Sequence, residues 1–117
     1  DMLTSLMAES GVDTAFVKKT SGKNGHAIIQ VSAKGENSIF LFPGSNEKVS
    51  KEYADEVLKN FGKGDILLLQ NEISNVAYIV EKAHESGMTI ILNPSPINEK
   101  INGIDFEKLS YIILIRN

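Results

Sequence analysis

The fold is decided by one stretch of sequence, Asp65-Ile66-Leu67-Leu68-Leu69-Gln70-Asn71-Glu72. Its apolar residues run together and then stop at polar ones, which is typical of a short strand buried on both faces in a parallel sheet. Two similar runs follow, residues 89–92 before Asn93-Pro94 and residues 111–115 before Arg116-Asn117. Each run releases a polar side chain at its carboxyl end, the edge of an open α/β sheet where ligands bind.

Helical spacing of apolar residues separates these runs. Ser50 can cap a helix that extends to about Asn60, and Ser74 or Asn75 can cap a second helix. A short helix near residues 106–109 leads into the third run. The apolar faces of the first two helices consist of Ala54, Val57, Leu58 and Phe61, and of Val76, Ile79, Val80 and Ala83. This alternation of helix and strand predicts a parallel sheet with right-handed crossovers.

Residues 27–42 predict an antiparallel hairpin that is partly separate from the parallel sheet. Residues 27–32 alternate, so that Ala27, Ile29 and Val31 share one side of a strand. Lys34-Gly35-Glu36-Asn37 has the composition of a hairpin turn, and residues 38–42 form the returning strand. Upstream of the hairpin, residues 2–10 predict a short helix that ends at Gly11.

Composition limits the class of protein. A chain of 117 residues suits one domain with a modest core, and its net charge of −3 argues weakly against a nucleic-acid or anionic-membrane partner. The absence of cysteine excludes disulfides and thiolate metal sites and is compatible with a cytoplasmic location. No apolar stretch approaches the ~20 residues of a membrane span. Because the chain begins at Asp1 and ends at Asn117 directly after a predicted strand, we expect an internal segment of a longer protein.

Glu72 and Asn93 are the candidate binding residues at the predicted ligand edge. A carboxylate at position 72 could accept hydrogen bonds from ligand hydroxyls, and it could equally be a solvated loop residue or a helix cap. Asn93 precedes Pro94, which holds it in an extended conformation, so it is either a rigid substrate contact or a simple strand stop.

Other chemistry finds less support in the sequence. No glycine-rich phosphate loop of the dinucleotide or P-loop type is present. His26 and His84 each stand alone, which argues against a metal site or a serine-type triad. Asp13, Asp65 and Asp105 lie where elements begin, and capping is the interpretation we favour for them.

Five segments, in the same order and spacing, resemble the ribokinase branch of the pfkB carbohydrate kinases. The resemblance extends over essentially the whole chain. The segments are Gly11-Val12-Asp13-Thr14, Gly35-Glu36-Asn37-Ser38, Phe42-Pro43-Gly44-Ser45-Asn46, Leu68-Leu69-Gln70-Asn71-Glu72-Ile73 and Ile91-Leu92-Asn93-Pro94-Ser95-Pro96.

The resemblance implies a three-layer α/β fold, ribokinase-like and Rossmann-like, with a small antiparallel β lid at about residues 14–46 and the parallel βαβ part at about 50–117. It implies transfer of the ATP γ-phosphoryl group to a sugar hydroxymethyl, with Mg²⁺, a possible monovalent cation, and D-ribose as the expected sugar. Glu72 would bind sugar hydroxyls, and Ala27 and Ile29 would belong to the lid's apolar cover. Asn117 matches the start of the family's N-x-x-E motif, which organises Mg²⁺ and phosphate through water, so no residue here is expected to ligate metal directly.

The resemblance also implies that the catalytic parts lie outside this chain. The family's glycine-rich sugar motif belongs before residue 1, and its G-x-G-D motif, which supplies the anion hole and the aspartate base, belongs after residue 117. We therefore expect no catalytic residue in this chain and no kinase activity from the 117 residues alone. Arg116 departs from the apolar residue or proline that the family more often has there.

Several alternatives stay open at this point. A fructokinase or a nucleoside kinase of the same family is one, and a non-catalytic α/β module that binds a small ligand or a partner chain is another. The resemblance implies a cytoplasmic homodimer that forms through the lid hairpin, with a sugar as its ligand.

Overall fold

The structure, a computed structural model, describes residues 2–114 and contains two separate sheets in that range. The helices are α1 (Met2–Glu9), α2 (Lys51–Leu58) and α3 (Val76–Glu85). The strands are β1 (His26–Val31), β2 (Asn37–Phe42), β3 (Ile66–Gln70), β4 (Thr89–Asn93) and β5 (Tyr111–Ile112). Three 3₁₀ helices, numbered here in chain order, cover Gly44–Lys48, Glu99–Gly103 and Phe106–Lys108.

The larger sheet is parallel, with the strand order β3-β4-β5. Gln70 lies opposite Asn93 and Leu92 lies opposite Ile112, so the carboxyl ends of β3 and β4 meet at one edge. This confirms the parallel sheet that the three apolar runs predict. The third predicted strand is shorter than its apolar run, because β5 covers only Tyr111–Ile112 and the next two residues are not in a strand. The last predicted position of that run, Ile115, lies outside the described residues.

The core lies between one face of this sheet and helices α2 and α3. Leu69, Ile90 and Leu92 point towards the helices and are buried. Their partners are most of the helix residues that the 3.6-residue spacing singles out, because that spacing puts apolar side chains on one helix face. Phe61 is an exception, since α2 ends at Leu58 and Phe61 is 38% exposed. The buried helix residues are Ala54 and Leu58 of α2 and Val76, Ile79, Val80 and Ala83 of α3.

The prediction that β3 is buried on both faces is wrong for the described part of the chain. Ile66 and Leu68 are 65% and 66% exposed, whereas Leu69 is 7% exposed. Side chains alternate along a strand, and both packed helices belong to the core cluster on the Leu69 side. The other face therefore has no covering layer among residues 2–114, and Tyr111 on β5, opposite Ile91, is also 64% exposed.

Helix ends show where side-chain chemistry decides local structure. The Ser50 hydroxyl accepts a hydrogen bond from the Tyr53 amide at 3.1 Å, which confirms the predicted cap of α2. Asn75 occupies the N-cap position of α3 but makes no capping hydrogen bond, so the predicted cap is wrong. The reason is competition: Asn75 Nδ2 and Ser74 Oγ instead donate to the Val49 carbonyl, at 2.6 and 2.8 Å.

The short helix predicted near residues 106–109 is a single 3₁₀ turn, Phe106–Lys108. Asp105 accepts a hydrogen bond from the Glu107 amide at 3.1 Å, which confirms its capping role. The two other 3₁₀ helices were not predicted, because one or two turns carry too little apolar periodicity to be recognised.

The smaller sheet is the predicted antiparallel hairpin. Ala27 lies opposite Leu41 and Ile29 opposite Ile39. The turn contains Gly35 at φ 81°, whose amide donates to the Ser32 carbonyl at 2.9 Å. Both faces of the ribbon are exposed, which leaves apolar side chains such as Phe40 in solvent. None of the helices between residues 2 and 114 is long and apolar enough to cross a membrane.

Candidate functional site

A cleft of about 360 Å³ lies where the base of the hairpin meets the carboxyl end of β3. Its volume falls in the range of small-molecule sites, roughly 300–1,000 Å³. One wall comes from the hairpin and the first 3₁₀ helix, and the other from the loops that follow β3 and β4. The lining residues are Gly25, His26, Ala27, Leu41, Phe42, Pro43, Asn46, Glu47, Asn71, Glu72, Pro96, Asn98 and Lys100.

Glu72 is the unpaired carboxylate of this cleft. Its side chain is exposed, and it has no hydrogen-bond or ion-pair partner among the described residues. Asp65 and Asp105, by contrast, each accept a backbone amide. A carboxylate that the protein leaves unused offers both oxygens as acceptors to a ligand that carries hydroxyl groups.

The hairpin strands contribute apolar side chains to this cleft. Ala27 and Leu41 are opposite one another in the hairpin register and both line the cleft. The His26 ring packs against Phe42 with ring centroids 4.9 Å apart. A carboxylate and apolar side chains in one cleft suit a ligand that has both hydroxyl groups and exposed C–H surface.

The structure brings together only some of the residues that the sequence singles out. Glu72 and Ala27 line the same cleft. Ile29 lies further along β1, is 60% exposed and does not line it. Asn93 lies at the end of β4, where its Oδ1 accepts the Ser95 amide at 3.0 Å, and it does not line the cleft either. Asn117 lies outside the described residues.

Asn71 is a site residue that the sequence analysis did not single out. It is 1% exposed, and its Nδ2 donates to the Pro96 carbonyl at 2.8 Å and to Asn98 Oδ1 at 3.2 Å. Its backbone amide donates to the Ser95 carbonyl at 3.2 Å, while its Oδ1 has no partner. Asn71 therefore ties the loop after β4 to the end of β3. The available signal was a polar residue in the first position after the predicted strand, at the edge where ligands bind.

Two glycines fix the hairpin exit beside the cleft. A Cβ on Gly25 would lie 2.7 Å from Asn46 Nδ2 and 2.8 Å from the Pro43 carbonyl. Gly44 has φ 52°, and a Cβ there would lie 2.5 Å from the Lys23 carbonyl. The Asn46 carbonyl in turn accepts the Ser74 amide at 2.9 Å. The loops before and after the hairpin thus pack backbone against backbone, which brings Asn46 and Glu47 to the cleft.

An ion pair joins the two walls. Lys100 Nζ of the second 3₁₀ helix lies 2.5 Å from Glu47 Oε1 of the first, and both side chains are 45% exposed. Because the two residues are 53 positions apart, nothing in local sequence spacing could indicate the pair. Among residues 2–114, no three His, Cys, Asp or Glu side chains are grouped so that they could hold a metal ion.

A parallel α/β sheet whose strand ends open into a cleft under a separate hairpin defines a class of small-ligand enzyme domains. The chain belongs to the pfkB family of carbohydrate kinases, whose family model matches residues 1–103.

Curated relatives agree with this assignment. The chain is 36% identical over 90 residues to a ribokinase of Bacillus subtilis and covers 30% of that protein with 74% of its own length. It is 34% identical over 92 residues to a ribokinase of Haemophilus influenzae, with 76% of this chain and 30% of that protein covered. A deoxyribokinase of Salmonella typhi is 32% identical over 89 residues, with 74% of this chain and 29% of that protein covered. The chain thus spans about a third of the length of these relatives.

Solved structures agree on the fold. The ribokinase from Giardia lamblia has a TM-score of 0.75 and 26% identity, with 92% of this chain and 36% of that chain covered. The ribokinase from Cryptococcus neoformans, solved in complex with ADP, has a TM-score of 0.71 and 25% identity, with 95% and 36% covered. The ribokinase-like fold with a parallel sheet and an antiparallel hairpin is therefore shown.

Proposed function

We propose that the complete protein carrying this chain transfers the ATP γ-phosphoryl group to a sugar hydroxymethyl, with D-ribose as the first candidate. The observation that carries the proposal is that the Glu72 carboxylate, unpaired among residues 2–114, shares a cleft of about 360 Å³ with apolar side chains of the hairpin. A neutral sugar presents hydroxyl donors to the carboxylate and C–H surface to Ala27 and Phe42. The ribokinases among the relatives support this choice of ligand class.

The remaining sugar contacts are part of the same proposal. Ile29 lies on the same side of β1 as Ala27, one alternation further along the strand, and would extend the apolar cover over the sugar. Asn93 is opposite Gln70 at the sheet edge and would contact the sugar from beneath. Both assignments rest on the resemblance of the hairpin and of the segment around Asn93-Pro94 to the family.

The nucleotide side lies largely outside the described residues. The ribokinase solved with ADP supports nucleotide use, and ATP is the proposed phosphoryl donor. Magnesium would shield the phosphate charge during transfer. Residues 2–114 offer no ligand cluster for it, so its holders are proposed to be the nucleotide phosphates and, through water, the motif that begins at Asn117. A monovalent cation and a cytoplasmic location are further parts of the proposal.

The 117 residues alone are proposed to be inactive. Phosphoryl transfer needs a positioned base and stabilisation of the charge on the moving group. The resemblance assigns both to a motif that this chain does not contain, and the chain covers about a third of its relatives.

A kinase assay of the complete protein tests the proposal. Production of ADP would be followed with ATP, Mg²⁺ and a panel of pentoses, hexoses and nucleosides, with 2-deoxyribose included because of the deoxyribokinase relative. We expect D-ribose to give the highest kcat/KM. Preference for fructose or a nucleoside would redirect the assignment within the family. Sugar binding in calorimetry without ADP production from any panel member would instead indicate a non-catalytic binding module.

A further inference from the structure

The charged residues that line the cleft differ in whether they form an ion pair. Two carboxylates, Glu47 and Glu72, and one ammonium, Lys100, line it. Lys100 is paired with Glu47 at 2.5 Å, whereas Glu72 has no partner among the described residues. Within residues 2–114 the cleft is therefore lined by one more carboxylate than ammonium, and the unpaired carboxylate is Glu72.

These charges line one cleft, and charges separated by no more than about a Debye length are not fully screened from one another. A sphere of the cleft's volume is roughly 9 Å across, about one Debye length at physiological salt. An unpaired Lys100 on a flexible side chain would therefore be attracted to Glu72, and it would also attract a ligand anion. Glu47 supplies the competing partner, from the opposite wall of the cleft.

The backbone around the pair favours this arrangement. Asn98 caps the second 3₁₀ helix by accepting the Lys100 amide at 3.0 Å, and the same Oδ1 accepts from the buried Asn71 at 3.2 Å. The segment that bears Glu47 is held through the Asn46 carbonyl, which accepts the Ser74 amide at 2.9 Å. Both residues of the ion pair thus lie in short 3₁₀ helices that hydrogen bonds hold beside the end of β3.

We infer that Glu47 is a specificity-determining positioning residue. By engaging Lys100 it leaves the Glu72 carboxylate free for neutral hydroxyls, and it keeps the cleft net negative, so that sugar acids are rejected. The inference rests on the proposed function, because it takes the ligand to be a neutral sugar. It assigns to Glu47 no contact with the sugar and no part in phosphoryl transfer.

Calorimetry on the complete protein with D-ribose and with its acid, D-ribonate, tests the inference. The variants are Glu47→Gln, Lys100→Met and the double variant. Glu85→Gln is the matched control, because it removes one carboxylate from an exposed pair with Lys82 at 2.8 Å that does not line the cleft. Thermal unfolding of each variant checks that the fold is retained.

We expect Glu47→Gln to weaken ribose binding and to strengthen ribonate binding, each by about two- to fivefold, the range of a partly exposed ion pair. Lys100→Met should weaken ribonate binding, and the double variant should bind ribose within about twofold of the unmodified protein. Opposite effects on the neutral and the anionic ligand would not follow from a merely structural role.

Two results would overturn the inference alone. One is a Glu47→Gln variant that binds both ligands like the Glu85→Gln control. The other is a double variant that loses as much ribose affinity as Glu47→Gln and Lys100→Met lose together. In that case the ion pair would only hold the two walls of the cleft together. If the unmodified protein binds neither ribose nor another neutral sugar of the panel, the proposed function fails as well.

Discussion

At the carboxyl end of β3, two adjacent residues have opposite roles. Asn71 is buried and ties the loop of Ser95 and Pro96 to the strand end, while Glu72 is exposed in the cleft and has no partner in the part of the chain that the structure describes. Both residues lie in the turn that follows β3, and there one side chain is buried and the next is exposed. The site thus depends on Asn71 for its shape and on Glu72 for its chemistry.

Replacing Glu72 with alanine should weaken sugar binding selectively. Hydrogen bonds to a charged group contribute about 1.5–3 kcal/mol, so we expect the sugar Kd to rise about tenfold or more, while the ATP Kd stays within about twofold. Calorimetry of the complete protein measures both constants, and Glu85→Ala on α3 serves as the control. Unchanged sugar affinity would remove Glu72 from the site.

Replacing Gly44 with alanine should destabilise the fold around the hairpin exit. The added Cβ would meet the Lys23 carbonyl at 2.5 Å, and φ 52° is unfavourable for an L side chain. We expect the free energy of unfolding to fall by about 2–3 kcal/mol, measured by urea denaturation of the complete protein.

Gly35→Ala is the matched control for Gly44→Ala. Gly35 has φ 81°, but nothing lies within 4 Å of its Cβ position. The free energy of unfolding of Gly35→Ala should therefore fall only by the cost of the left-handed backbone conformation, about 1–2 kcal/mol. Equal losses at the two positions would show that the close packing of the two loops contributes nothing.

At the scale of elements, the helices differ in how they begin. α2 has a serine cap. The N-cap residue of α3, Asn75, has a left-handed backbone conformation, and its side-chain amide donates to the Val49 carbonyl instead of capping the helix. The hydrogen bonds of Ser74 and Asn75 to Val49 connect the start of α3 with the segment before α2. A local capping interaction is thus exchanged for one that joins two elements.

Ser50→Ala should lower the free energy of unfolding by about 1 kcal/mol, because the Tyr53 amide loses its cap. Ser86→Ala is a suitable comparison, since Ser86 is the C-cap residue of α3 and its side chain makes no hydrogen bond within residues 2–114. Thermal unfolding should separate the two variants by several degrees in Tm. Overlapping curves would contradict the capping role.

At the scale of the whole molecule, the hairpin is the least covered part of the described chain. A two-stranded ribbon is marginally stable alone, and free strand edges with apolar side chains favour pairing with another chain. Ile28 and Phe40, which lie opposite each other, are 57% and 58% exposed. We propose that the protein forms a homodimer through this ribbon, as the family resemblance implies.

Phe40→Lys should shift the complete protein towards the monomer. Phe40 does not line the cleft and is 58% exposed, so a lysine there would place a charge in the proposed interface. Light scattering over a concentration series measures the change, with Lys34→Gln in the turn as the control. An unmodified protein that is strictly monomeric at high concentration would exclude the dimer.

Much of the architecture could be predicted because it rests on local periodicity. Apolar runs of strand length between amphipathic helices specified the parallel sheet, and alternation around Gly35 specified the hairpin. The error on β3 has a different origin. A continuous apolar run such as Ile66 to Leu69 shows that both faces can be buried, but whether a covering layer exists depends on other chain segments.

The sequence by itself determined the main helices and strands, the family and the candidacy of Glu72 and Ala27, because these follow from spacing and motif order. Only the tertiary structure decided that Asn71 supports the cleft, that Asn75 does not cap α3, and that Glu47 pairs with Lys100. The physical reason is distance along the chain. Side-chain hydrogen bonds and ion pairs between residues 25 to 53 positions apart leave no periodic trace and form only once the loops have packed together.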